Sequence, residues 1–590
     1  MVSTAPSPPK RGWPTIVAAL AVTAIVVASL LISARGRLST TLGDTDDAMR
    51  LVMVRDLMSG VTGWFTPHMT RVQPPLGLDM HWSRLVDGGL AAMDWAFRLV
   101  MSPDQAETAT RMAWPLLWTF PAIWAALALS RRLGGTAALL PAAALLMTNI
   151  LHYAQWWPGR IDHHDIQITM ALAAAVGAAE GGIGGALLTG VASAFGLAVG
   201  IEVLPFAALA GACFAFRFLL DPERARPAQA YAAMLVAATS IFYVLQTPPA
   251  RLALTACDEI GANLWAGVGV AGIGLILAVE ATRRRGPVLR WAALGVAGVL
   301  AGAAYLGLDP ACLRGPAGHV DPRIRPIWLD FVTEMYPLLD KFWTTRSNFI
   351  VCCLVFMALG ALSWIWLGAR KEGRTAQWLI VGGFFALSAA LGFSAQRMIH
   401  YSNWFAVPLM AAALGDITQR YFKGSLVPPV AAAAIICQPA QIWLLGVIPG
   451  WEKPKSKSEA AADRCIEQAA MRPLSHLPAG LVLGEIDLGP RILAQTPHSV
   501  VAAPYHRLAW GILAANDALS ATPGKDERAV RALKAQYIVT CPARIGQMNH
   551  AGLGRQSLQV RLDHAETPSW LERLSPPAAP LQIYRVKAAP

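Results

Sequence analysis

The sequence predicts a polytopic α-helical membrane protein with a small α/β domain at its C-terminal end. Three observations carry that prediction. Of 590 residues, 55% are hydrophobic and only 15% are charged, where a soluble domain carries about 25% charged residues. The apolar residues come in runs long enough to cross a bilayer core of ~30 Å at ~1.5 Å per helical residue. Such runs must be helical, because every backbone polar group in lipid needs an internal partner. Beyond about residue 449 the pattern changes to helical stretches alternating with short apolar strands, the signature of a mixed α/β unit.

Lys10 and Arg11 precede an apolar run from Pro14 to about Ala34. The run is too long for a signal-peptide core and no small-x-small cleavage site follows, so it reads as a retained first span. Roughly thirteen spans can be drawn, near 14–34, 111–129, 137–153, 166–182, 184–200, 203–220, 229–246, 262–281, 289–307, 349–369, 376–394, 402–416 and 426–447. The fourth and the twelfth are the weakest, being short or interrupted by polar residues.

With the N-terminus in the cytoplasm, alternate loops hold Arg131 and Arg132; Arg224 and Arg226; Arg283, Arg284 and Arg285; Arg370, Lys371 and Arg374; then Arg420 and Lys423. That agreement satisfies the positive-inside rule. Much of the formal charge of +12 thus lies in short loops rather than in a stripe, which argues against a nucleic-acid partner. The expected location is a bacterial inner membrane. Residues 35–110, 154–165 and 308–348 then form periplasmic loops of a membrane domain 1–448, and 449–590 form a periplasmic domain. In the tail, Pro454, Lys455, Lys457 and Glu459 read as a polar linker, and Leu481–Gly484, Ser499–Ala502 and Tyr537–Thr540 as strands. No CxxC or metal-like cysteine spacing occurs. Cys465 and Cys541 both fall in the tail, where a disulfide is chemically permitted.

The polar clusters concentrate on the outer side. Gly43-Asp44-Thr45-Asp46-Asp47 packs three carboxylates into four residues. They repel one another unless protons or a cation neutralise them, and a divalent metal with oxygen ligands does so; the plainer alternative is a helix-capping acidic turn. Trp156-Trp157-Pro158-Gly159 reads as an interfacial anchor and turn. After Arg160 comes Asp162-His163-His164-Asp165, a carboxylate–imidazole set suited to a manganese-type ion or, more plainly, a polar loop. Glu334 lies in the third outer segment. Arg397, in Gln396-Arg397-Met398-Ile399-His400-Tyr401, is placed to grip a phosphate bidentately or to snorkel toward headgroups. His81, Arg84 and Asp87 stand at helical spacing, as on an interfacial amphipathic helix.

Together these motifs resemble the catalytic subunit of oligosaccharyltransferase, within the GT-C glycosyltransferases, over about three quarters of the chain. Asp46 resembles the aspartate of the family's first motif, and Asp162 with His164 its second motif in the Asp-x-His form. Phe331-Val332-Thr333-Glu334 is similar to the Thr-Ile-x-Glu element, and Arg397 to Pro408 to the element whose arginine meets the donor phosphate. The resemblance implies a sugar or oligosaccharide moved from a polyprenyl-(pyro)phosphate donor, within the bilayer, to a lipid, glycan or protein acceptor in one inverting displacement. Asp46, Asp162 and His164 would hold Mg²⁺ or Mn²⁺, with His163 or Asp165 orienting His164. Arg397, Arg160 and His400 would meet the donor phosphate. Asp44, Asp46, Asp47 and Glu334 are the candidate proton acceptors. One departure stands out: the tail has no Trp-Trp-Asp, and Tyr505-His506-Arg507-Leu508-Ala509-Trp510-Gly511 holds the nearby aromatic, Trp510. A transporter or flippase of a lipid-linked substrate, or a non-catalytic scaffold, are the alternative readings.

Overall fold

The structure is a computed structural model and describes residues 13–36, 42–340, 347–370, 373–425, 427–448, 457–544 and 553–588. Lys10, Arg11, Lys371, Pro454 and Lys455 lie outside the described residues, and nothing is described of the Lys457 and Glu459 side chains. The first helix, α1 (Trp13–Ser33), is the retained span. The chain then forms α2 (Thr45–Met58), a short hairpin of β1 (His68–Met69) and β2 (Leu78–Asp79), and α3 (Arg84–Arg98), before α4 (Pro103–Gly134) enters the helix bundle. Helices α5 (Leu139–Thr148), α6 (His164–Glu180), α7 (Ile183–Val199), α8 (Leu204–Leu220), α9 (Ala225–Gln246), α10 (Ala262–Thr282) and α11 (Pro287–Leu308) follow.

Each sequence-derived span falls on helix, yet among the described residues only eight helices are long and apolar enough to cross a membrane, or nine if a bent pair counts as one. That is fewer than the roughly thirteen expected, and the shortfall has a physical cause. Helix α6 and the helix Ile399–Tyr421 are buried along most of their length. Packed against protein rather than lipid, they carry Gln167, Thr169, Ser402 and Asn403 at no cost in lipid exposure. The window 137–153 is broken at Asn149, which accepts from the Gln438 amide at 2.9 Å. There it meets the other broken element, Val427–Ile436 and Gln438–Gly446, bent by 48° just before Pro439, whose ring cannot continue a helix.

At one end of the bundle basic residues knit the helices together. Arg131 donates to Thr15 at 3.1 Å, Arg132 pairs with Glu180 at 2.9 Å, and Arg370 and Arg420 share Asp416. The first outer segment covers the opposite end. Its first helix packs on Arg84 and Asp87, which corrects the interfacial-helix expectation: both residues are buried, and His81 precedes α3, whose N-cap is Ser83. Arg50 and Asp87 are both 0% exposed and 2.7 Å apart, with Arg84 reaching the second oxygen of Asp87 at 3.0 Å. Asp87→Ala strands two buried guanidinium groups. It should destabilise the protein by about 3–5 kcal/mol, read as a large drop in the melting temperature of detergent-purified protein; an unchanged melt would mean the triad is not structural.

The C-terminal residues build a five-stranded sheet in the order β4 (Ser499–Val500), β3 (Leu481–Gly484), β5 (Tyr537–Thr540), β7 (Gln582–Val586), β6 (Leu571–Arg573). Strand β3 is parallel to β4 and β5, and β7 is antiparallel to β5 and β6. Its core is continuous with the first outer segment, since Met49 and Val52 belong to one apolar cluster with Val482, Ile492, Val500 and Ile538. Polar ties reinforce the seam: the Val500 amide donates to Arg71 O at 2.9 Å, the Gln73 amide to Val500 O at 2.8 Å, and Arg71 Nη2 to Thr496 O and His498 O at 2.7 Å. Disulfides join Cys465 to Cys541 and Cys257 to Cys312, whereas the free cysteines Cys213, Cys352, Cys353 and Cys437 lie on or beside bundle helices.

Candidate active site

Between the outer ends of the helices, the first outer segment and the C-terminal segment lies a cavity of about 760 Å³ lined by Asp46, His163, His164, Glu202, Glu334, Arg397 and Tyr505, among others. Local rules place each group. Gly43 sits at φ +80°, and a Cβ there would lie 2.3 Å from Asp47 Oδ2, so only glycine allows the tight entry into α2. Asp44 caps that helix, accepting from the Asp46 and Asp47 amides at 3.0 Å, while Asp47 Oδ2 accepts from the Asp44 amide at 3.0 Å. This is the capping box the plainer reading foresaw. It takes up Asp44 and Asp47 and leaves Asp46 facing the cavity.

Arg160 is spoken for in the same way. It pairs with Asp44, approaches Asp47 to 3.3 Å, and holds Asp162 at 3.9 Å. Asp47 Oδ1 also accepts from the Ile161 amide at 2.8 Å, so the first acidic motif is stitched to the second. His400 packs on the Phe349 ring at 5.5 Å and is not among the residues lining the cavity. Glu334 rides a short helical turn, Thr333–Met335, fastened to the arginine turn by the Gln396 amide, which donates to Tyr336 O at 2.9 Å.

Asp162 is at the centre. His163 Nδ1 lies 2.5 Å from one of its oxygens and His164 Nε2 3.3 Å from the other, yet both carboxylate oxygens are buried without a hydrogen bond of good geometry among the described residues. Burial opposes the charge on Asp162, but His163, His164 and Arg160 hold its pKa well below the usual carboxylate range. Asp46 behaves oppositely: burial and the carboxylates of Asp162 and Glu334 push it up to about 8. Burial also opposes the charge on His164, but Asp162 and Glu202 outweigh it and carry the imidazole up to about 10. Three carboxylates and an imidazole that must share protons to coexist fit a hard or borderline divalent cation, which would neutralise them instead. Among the described residues Asp162, His163 and His164 bring ligand atoms within 4.8 Å of one another, and Asp46, which lines the cavity with both histidines, would have to move in to join Asp162 and His164 around an ion.

The residue that sequence reasoning missed is Glu202. It follows the outer end of α7, and its Oε1 is 2.8 Å from Arg397 Nη2 while Oε2 is 3.5 Å from His164 Nδ1. Gln167 Oε1 lies 3.1 Å from the same imidazole nitrogen. Glu202 therefore bridges the imidazole on one side of the site and the guanidinium on the other. Glu202→Gln should weaken divalent-cation binding about 10–100-fold, as loss of an orienting carboxylate does at metal sites; a variant with wild-type binding would remove Glu202 from the site.

No protein-family model and no curated protein matches the sequence. Solved structures do match. The oligosaccharyltransferase of Archaeoglobus fulgidus in its apo form superimposes with a TM-score of 0.67 over 90% of this chain and 70% of that chain, at 13% identity. The chain shares the fold of that oligosaccharyltransferase. The same enzyme tethered to an acceptor peptide containing the NVT sequon aligns with a TM-score of 0.67 over 96% of this chain and 73% of that chain, at 13% identity. Its complex with zinc and sulfate aligns with a TM-score of 0.62 over 97% and 73%, at 12% identity. Trp510 is 47% exposed and lines no part of the cavity. Tyr505, His506 and Arg507 line it instead, with the Tyr505 hydroxyl against Asp46 and donating to Thr45 O at 3.2 Å.

Proposed function

We propose that the chain is a membrane glycosyltransferase that moves a sugar or oligosaccharide from a polyprenyl-(pyro)phosphate donor to an acceptor on the periplasmic face of a bacterial inner membrane. The observation that carries this reading is the convergence of Asp46, His164, Glu334 and Arg397 on one cavity at the mouth of the bundle, with Asp162 directly behind His163 and His164. Orientation is supported by two independent features: the basic loops sit at the far end, and both disulfides sit at the cavity end, as an oxidising compartment permits. The matched Archaeoglobus fulgidus enzyme has been solved with a tethered acceptor peptide containing the NVT sequon and with an inhibitory peptide and dolichol-phosphate, which agrees with such chemistry.

In this reading the departing phosphate gains charge while the anomeric carbon becomes oxocarbenium-like. A bound Mg²⁺ or Mn²⁺ supplies Lewis acidity to the leaving oxygen. Arg397 adds a fixed positive charge preorganised by Glu202. Glu334 or Asp46 takes the acceptor's proton, and Glu334 is the more available because Asp46 is drawn into the cation cluster. With no Trp-Trp-Asp in the tail, the Tyr505–Arg507 stretch forms the acceptor wall, so the acceptor need not be an Asn-x-Ser/Thr peptide. The residues 1–448 would form the catalytic domain and 449–590 a periplasmic α/β domain that closes its cavity.

The test is deletion of the gene in its own host, with lipid-linked sugars and surface glycans compared by mass spectrometry. Loss of one sugar or block, accumulation of its lipid-linked donor, and rescue by wild type but not by Asp46→Ala at matched membrane levels is the expected result. Full rescue by Asp46→Ala would remove the catalytic assignment.

A further inference from the structure

The cavity wall carries a second set of metal-type ligands, apart from Asp46, Asp162 and His164. His81 from the first outer segment, Asp258 from the loop between α9 and α10, and His506 from the C-terminal segment each bring a ligand atom within 4.8 Å of the others. All three line the cavity. His506 Nε2 lies 2.7 Å from Asp258 Oδ2, and the His81 and His506 rings are 4.6 Å apart between centroids. Nδ1 of His81 is buried with no hydrogen-bond partner among the described residues.

Asp258 is held in place by something other than the histidines. Arg507 donates to Oδ1 at 2.7 Å and to Oδ2 at 2.8 Å. A guanidinium fork of this kind fixes a carboxylate's plane, as orienting partners do for ligating carboxylates. Its charge is balanced in turn by Glu259, which accepts from Arg507 at 2.9 Å and lies 3.5 Å from Arg251. The carboxylate is therefore preset, while one imidazole beside it has a ring nitrogen that nothing in the protein satisfies.

We propose that His81, Asp258 and His506 form a second divalent-cation site, of the zinc type, which fastens the C-terminal segment to two outer loops at the cavity wall. Two imidazoles and a carboxylate are a borderline donor set suited to Zn²⁺, and three protein ligands leave one position open. Zinc bonds of ~2.0–2.1 Å place tetrahedral ligand atoms about 3.4 Å apart, so closure needs movements of about an ångström at side-chain ends. The site takes in residues from three chain segments far apart in sequence, so an ion there adds a tie at the cavity wall to the Asp258 ion pairs and to the seam formed by Arg71 and Gln73. None of Asp46, Asp162 or His164 takes part, and the site stands or falls independently of the transfer reading.

The test uses the full-length protein in detergent, stripped by chelator and reloaded with zinc alone. Wild type should retain about one zinc per chain more than His81→Ala or His506→Gln. In an Asp162→Ala background, zinc should still raise the melting temperature, and adding His81→Ala should abolish that rise. Cobalt loaded in place of zinc should give visible d–d absorption that survives Asp162→Ala and is lost with His81→Ala. Because His81 makes no hydrogen bond through Nδ1, its removal leaves the Asp258–Arg507 latch intact and separates metal loss from misfolding. Zinc content unchanged by His81→Ala, or cobalt absorption and thermal stabilisation lost with Asp162→Ala alone, overturns the proposal.

Discussion

Asp162→Ala should abolish tight Mg²⁺ or Mn²⁺ binding and lower glycosyl transfer by about a thousandfold or more. The reasoning starts from burial. Asp162 is kept ionised in an enclosed position by His163, His164 and Arg160, and its two oxygens lack well-formed hydrogen bonds. Glu202 is the other carboxylate of the site held in its charged form, by Arg397 and His164. Removing Asp162 leaves Asp46 with less repulsion and His164 with less reason to hold a proton, so the cluster relaxes toward neutrality and loses its pull on a cation. The measurement is Mn²⁺ titration of purified protein beside initial rates on a lipid-linked donor pool. Retention of wild-type binding by Asp162→Ala would end the assignment of the cation to this cluster.

The same charges set a pH dependence. In the ion-free protein Asp46 sits at about 8 and His164 at about 10, so both carry a proton at neutral pH. A cation must displace them. Apparent Mn²⁺ affinity should therefore climb from about pH 6 to about pH 8, by up to a hundredfold per unit if two protons leave together. Stability runs the other way for Asp46. Its pKa is raised on folding, so its contribution is present at low pH and is lost as pH rises through about 8. The ion-free protein should melt earlier at pH 9 than at about pH 7, and added Mn²⁺ should recover more at the higher pH. A flat affinity across this range would show that Asp46 and His164 are not proton-coupled to the ion.

How much of this was legible in the sequence follows from what each residue faces. Helices that meet lipid are uniformly apolar, so α1, α10 and α11 were plain. Helix α6 and Ile399–Tyr421 meet protein on nearly all sides and read as weak for that reason. The strands Leu481–Gly484 and Tyr537–Thr540 showed because a sheet core needs continuous apolar runs. Asp46, Asp162, His164, Glu334 and Arg397 stood out as polar groups on one side of a bilayer, and the fold gathers them. The capping turn of Asp44 and Asp47 was legible as the plainer of two readings, but their partner Arg160, 116 residues from Asp44, was not, because that pairing is a matter of packing. Nor was the pairing of Cys257 with Cys312, whose spacing of 55 residues carries no signal. Glu202 had one clue, an acidic residue at the outer end of a span on the side where all the other clusters lie.

Arg397→Ala should lower kcat/KM by about a hundredfold or more, with a large rise in KM for the donor, because among the described residues no second guanidinium or ammonium pairs with Glu202. Two effects mix in that variant. One is loss of the charge that meets the phosphate; the other is a mostly buried Glu202 left with only His164 as a charged partner. They separate in the double variant. Arg397→Ala with Glu202→Gln removes the stranded charge, so it should melt nearer to wild type than Arg397→Ala alone while remaining as inactive. Arg397→Lys should recover part of the rate, since it restores a point charge without the fork. If the double variant regained activity along with stability, the arginine would serve the fold and not the donor, and the phosphate would have to be met elsewhere in the cavity.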